Sequence, residues 1–173
     1  MAQHLLSDVA ERFERIRDDY DPDSEVDLGG FTASLTTYAT SVAALAMVLR
    51  ATGRPLPEHY RAADVVLGGV AVHKFSRLLA KGSVTSPLRA PFTEFDEPAG
   101  AAEHNEAPRG GSGPRHTIGE LLSCPFCLGV WLGTAYVGGL AVAPRPTRAW
   151  AAVFGVVGLS DFLHHLYGRV RTG

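Results

Sequence analysis

Two stretches of this 173-residue chain carry no charged side chain: Phe31–Leu49, over 19 residues, and Cys124–Ala143, over 20. As helices, at about 1.5 Å per residue, each would reach roughly 28–30 Å, the thickness of a bilayer's hydrocarbon core. A water-soluble helix of that length normally keeps a polar face, because one side meets solvent. Phe31–Leu49 is instead rich in Ala, Ser and Thr, residues that let helices approach closely inside a membrane bundle. Cys124–Ala143 adds Trp131 and Tyr136. The whole-chain composition, 46% apolar and 20% charged, hides this segregation behind values that would suit a soluble protein.

Two further segments are spans of lower quality. Ala62–Ala80 has Asp64 near its start and His73, Lys74 and Arg77 in its second half. Charges near helix ends can snorkel to the interface, so a membrane helix is compatible with them. Gly68 and Gly69 are expected against a neighbour. Ala149–Tyr167 follows the outer turn PRPTR, carries Trp150 as an interfacial anchor, and holds Asp161, His164 and His165 in its latter half. The expected fold is therefore all-α: a small polytopic membrane bundle of about four transmembrane helices, within a membrane domain at 29–170.

Before the bundle, residues 1–28 read as an amphipathic helix and a linker. Leu5, Leu6, Val9, Phe13, Ile16 and Tyr20 recur at spacings of three and four among charges. The helix is expected to pack on the bundle, lie on the membrane or bind a partner. The opening MAQHLLSDVAERFERIR lacks the basic-then-apolar order of a secretory signal, and Ala2 excludes N-myristoylation. Membrane targeting is expected from the helices themselves. The longest connection, 82–123, is expected as a partly flexible loop. Its first part, GSVTSPLRAPFTEF, reads as ordered, DEPAGAAEHNEAPRGGSGP has linker composition, and Thr117–Leu122 reads as a short helical turn. A net charge of −2 provides no basic stripe and excludes nucleic acid as a partner.

With four spans, the N-terminus, the long loop and the C-terminus share one side. That side holds Arg12, Arg15, Arg17, Arg77, Lys81, Arg89, Arg109, Arg115, Arg169 and Arg171, against Arg50, Arg54, Arg61, Arg145 and Arg148 on the other. The two-to-one bias assigns both termini and the long loop to the cytoplasmic side of the membrane. Lys74 and Asp161 then fall at similar depth, so a Lys74–Asp161 or His73–Asp161 pair is expected, since an isolated charge there is costly. His164 and His165 share part of the Asp161 face, although adjacent helical positions diverge by about 100°.

Cys124 and Cys127 stand at the start of the third span as Ser-Cys-Pro-Phe-Cys. Ser123 suits an N-cap and Pro125 a first-turn site without an N–H. The helix dipole favours thiolate there. Three readings stay open. The dithiol is redox-active towards a partner or a quinone, assisted by His73 or Lys74, as in a thiol–disulfide oxidoreductase. Alternatively Cys124 and Cys127 are half of a zinc site completed by His164, by His73 or by a second chain, since zinc usually takes four ligands. Or the cysteines are small apolar residues at a helix start. CPFC looks like the active-site tetrapeptide of glutaredoxins, but no strand–helix alternation surrounds it. Arg77, Lys81 and Arg89 are candidates for lipid phosphates or an anionic ligand, or for ordinary positive-inside anchoring.

HKFSRLLAKGSVTSPLRAPF (His73–Phe92) and GELLSCPFCLGVWLG (Gly119–Gly133) resemble a family of small bacterial membrane proteins known as domain of unknown function 1360, across about residues 30–170. The resemblance implies a multi-pass bacterial membrane protein and supplies no established catalytic residues. Some members are associated with sporulation. The expected role is a non-catalytic accessory or scaffold component with the lipid bilayer and a membrane or cytoplasmic protein as partners.

Overall fold

A computed structural model describes residues 2–23 and 26–172. Helix α1 (Ala2–Tyr20) carries the amphipathic pattern, with Val9, Ile16 and Tyr20 exposed. Helix α2 (Leu28–Ala51) begins at Asp27, whose carboxylate accepts from the Gly30 N–H at 2.9 Å and the Thr117 hydroxyl at 3.0 Å. A Cβ on Gly30 would lie 2.2 Å from Thr117 Oγ1, so only glycine allows that junction.

Helix α3 (Ala62–Lys81) occupies the centre. It packs between α6 (Pro125–Val142) and α7 (Pro144–Thr172), around a core of Ala71, Tyr136, Leu140 and Ala151. Pairings fix the directions. Gly68 of α3 lies under the Tyr136 ring, the Tyr136 hydroxyl donates to the Asp64 carbonyl at 2.8 Å, and Phe75, further along α3, shares a pocket with Leu132, earlier in α6, so α3 and α6 are antiparallel. Gly155 faces Leu67 and Gly158 faces Val70, so α3 and α7 run parallel. Helix α2 runs parallel to α6, with Tyr38 bonded to Thr134 at 2.7 Å and Leu45 against Gly138. Gly69, expected against a neighbour, has open space beside it.

Among the described residues, three helices are long and apolar enough to cross a membrane: α2, α6 and α7. Helix α3 forms as expected but falls outside that group, because its charges lower its hydropathy. Helix α7 starts five residues before the expected span. PRPTR is its first turn and not a separate one, since prolines are tolerated where no N–H partner is needed.

The bundle is not purely helical. After α3 the chain makes a 3₁₀ turn (Ser83–Thr85), a short α4 (Ser86–Arg89), then antiparallel strands β1 (Thr93–Gly100) and β2 (Glu103–Pro108). The expected linker DEPAGAAEHNEAP is therefore largely a hairpin. In the two-residue turn 101–102, Ala102 has φ +60°, and Gly100, which ends β1, has φ +137°. Helix α5 (Pro114–Ser123) realises the expected turn around Thr117–Leu122.

Candidate functional site

The hairpin is fastened by a buried ion pair. Arg89, 1% exposed, donates to both Glu106 carboxylate oxygens, at 2.9 and 2.6 Å. Its remaining donors reach the Leu79 and Gly82 carbonyls and the Thr85 and Ser86 hydroxyls. Glu106 also accepts from Thr93 at 2.6 Å and Ser86 at 2.9 Å. Burial pushes the Glu106 carboxyl upward, but bonds from Arg89, Thr93 and Ser86, with the Arg89 charge, outweigh it and hold the pKa below the ordinary value.

Arg89 is thus a structural anchor, and its burial corrects its assignment to lipid phosphates. Its companions are also engaged by β2. Arg77 makes a bidentate pair with Glu103 at 2.7 and 2.6 Å, and Lys81 donates to Asn105 at 3.2 Å. The sequence reading missed Glu103, Asn105 and Glu106. The available signal was a polar, acidic segment following the cationic end of α3.

Beneath the hairpin turn lies a polar cavity of about 570 Å³, lined by His73, Lys74, Arg77, Asp161, His164 and His165 together with Glu103. Lys74 and Asp161 pair across it at 2.5 Å, as expected from their depth. A second pair clamps the other end of the same two helices: Arg148 binds Asp64 through two bonds of 2.8 Å.

The dithiol lies elsewhere. Cys124 and Cys127 are disulfide-bonded, with Cα atoms 5.3 Å apart. Cys124, and not Ser123, is the N-cap of α6: its sulfur accepts from the Cys127 N–H at 3.1 Å, while the Ser123 hydroxyl turns back to the Glu120 carbonyl. Pro125 takes the first helical position as expected. The bridge opens onto an apolar pocket of about 580 Å³ between α2, α5 and α6, which includes Phe31, Leu35, Tyr38, Glu120 and Trp131. His73 and Lys74 line the polar cavity instead, so the expected grouping of Cys124, Cys127, His73 and Lys74 is divided between two pockets. The set of Cys124, Cys127 and His164 is divided in the same way, because the start of α6 faces α2 and α5 while His164 faces α3 and the hairpin turn. Among the described residues, no three His, Cys, Asp or Glu side chains are grouped to hold a metal ion.

Fold and sites together define a mostly helical bundle with, among the described residues, three apolar helices of membrane-crossing length and a docked polar hairpin. Residues 67–167 match a family described as a protein of unknown function (DUF1360), and this chain belongs to that family. The match begins within α3, so α1 and α2 lie outside it. The chain is also similar to "Sporulation protein YjcA" of Bacillus subtilis (strain 168), with 33% identity over 107 residues, covering 61% of this chain and 91% of that protein. No solved structure matches significantly.

Proposed function

We propose that this chain is a four-span protein of the bacterial cytoplasmic membrane, acting as a non-catalytic accessory or scaffold component whose cytoplasmic hairpin presents a fixed surface to a protein partner. The observation that carries the reading is the position of α3. It packs along both α6 and α7, with polar pairs at Asp64–Arg148 and Lys74–Asp161 bracketing an apolar stretch. If α6 and α7 cross the bilayer, α3 occupies the same slab and is the fourth span. Its charges are then paired, as a low-dielectric setting requires.

The directions of the helices alternate, which suits four consecutive crossings. The cationic end of α3, the hairpin, α5 and both termini then share the cytoplasmic side under the positive-inside rule. Reporter fusions after residues 56, 105 and 146 test this. Cytoplasmic activity only at 105 is expected, and an external signal at 105 overturns the orientation. For the accessory role, mild detergent extraction is expected to recover the chain with a stoichiometric protein partner. A chain that runs alone after in-cell cross-linking and mild extraction overturns it.

A further inference from the structure

Three observations converge on the pocket at the start of α6. A disulfide forms part of its wall, so the reactive sulfurs are held at a mouth that includes Cys127, an exposed residue. The rest of the wall is mainly apolar and aromatic, with Phe31, Leu35, Tyr38 and Trp131 contributed by two helices of membrane-crossing length. The Tyr38 and Trp131 rings lock each other edge to face at 5.2 Å.

The third observation is an unsatisfied acid–base pair. Glu120, four residues before Cys124, lines the same pocket, and its Oε2 is shielded from solvent with no hydrogen-bond partner. Behind it, His116 Nε2 lies 3.6 Å from Glu120 Oε1, and His116 Nδ1 is likewise buried without a partner. The Glu120 side chain is nevertheless 30% exposed, so it gives the pocket an ionisable group in the same wall as the two sulfurs, and a flat apolar two-electron acceptor with polar oxygens fits a pocket lined in this way.

We infer that Cys124 and Cys127 form a thiol–disulfide couple that reduces a lipophilic quinone bound in this pocket, with Glu120 as the proton-handling group. The inference rests on α2 and α6 lying in the bilayer; it leaves the docking role of the hairpin in place and replaces only the non-catalytic part of that reading. In the reduced chain both S–H bonds break and one S–S bond forms. Two electrons pass to the quinone ring, and the two thiol protons end on its two oxygens, giving the quinol. Glu120 accepts a thiol proton and returns it to a quinone oxygen, so no net proton is drawn from water.

The test uses the full chain in lipid–detergent micelles, reduced with a phosphine that is then removed. Decylubiquinone is the probe, because its fully substituted ring blocks direct thiol addition. Quinol is read by ultraviolet absorbance and free thiol by maleimide labelling. The expected result is one quinol formed and two thiols lost per chain, with a rate that saturates in quinone. Cys124→Ser or Cys127→Ser is expected to abolish quinol formation, and Glu120→Gln to slow it by about 10²-fold. Leu35→Trp, which fills the pocket from an exposed position, is expected to raise the half-saturating quinone concentration and carries the test if E120Q does not fold. Stable thiols in the presence of quinone overturn the proposal. So does oxidation that neither saturates nor responds to L35W. Correct reporter topology with a failed quinone assay removes this inference alone.

Discussion

Replacing Glu106 by Ala removes the carboxylate that neutralises Arg89 while leaving the guanidinium in place. Both side chains are buried, at 1% exposure for Arg89 and 5% for Glu106. The variant loses two bonds from Arg89 and one each from Thr93 and Ser86. Arg89 keeps two carbonyl acceptors and two hydroxyls, so its geometry has support but its charge has no counter-ion. Removing one partner of a buried ion pair costs about 3–5 kcal/mol, and the lower end applies here because those acceptors remain. An isolated two-stranded hairpin is only marginally stable in water, so undocking should also open its ladder. At about 1.4 kcal/mol per tenfold, amides of 93–108 should exchange with deuterium roughly 10²-fold faster in E106A, while those of α6 keep their protection. Arg89→Met with Glu106→Met, which removes both charges, should exchange more slowly than E106A. Unchanged exchange in E106A would refute the view that this pair docks the hairpin. The pH dependence has a definite sign. Because the folded pKa of Glu106 is lowered, its contribution is complete above the unfolded carboxylate value and is lost as pH falls through the folded one. Hairpin protection should therefore persist at neutral pH and drop only in acid, and E106Q should lose that acid step.

The packing of α3 yields two more expectations. Gly68→Ala places a Cβ 2.2 Å from Tyr136 Cε1 and should destabilise the bundle by about 1–3 kcal/mol, whereas Gly69→Ala meets nothing and should be neutral or stabilising. Thermal unfolding in detergent compares them directly, and equal effects would remove the case for close α3–α6 packing. Asp64→Asn and Arg148→Met should each lower the unfolding temperature, and the double variant should lose less than the sum, as expected for residues that act as a pair.

The uncharged runs made α2 and α6 legible, because length and absence of charge are local properties. Lys74 and Asp161 were legible as a pair for a related reason: a topology and a rise of about 1.5 Å per residue equate their depths. The hairpin was not. EHNEAP has the composition of a linker, and its order comes from Arg77, Lys81 and Arg89, a tertiary effect that composition does not encode. The Asp64–Arg148 pair was hidden because PRPTR read as a turn, which set Arg148 outside the helix that presents it. The cysteines were correctly placed at a helix start. Their neighbours were not, because depth along a helix leaves the direction around it undetermined, and the start of α6 turns towards α2 and α5.

Why α3, whose charges keep it out of the group of membrane-length apolar helices, sits at the centre follows from the same contacts. A bilayer drives no association among helices that are as apolar as lipid, so packing and polar pairing must hold them. Helix α3 supplies both: Gly68 admits the Tyr136 ring, while Asp64 and Lys74 hold α7 at two levels and Arg77 holds β2. Helix α2 joins this unit more lightly, through Asp27–Thr117, Tyr38–Thr134 and the Leu45–Gly138 contact. The family match has the same outline, starting within α3 and ending within α7. The cross-linked unit of α3, hairpin, α5, α6 and α7 is therefore the structural core of the protein. Helix α2 then closes one side of it and, in doing so, completes the pocket over the disulfide.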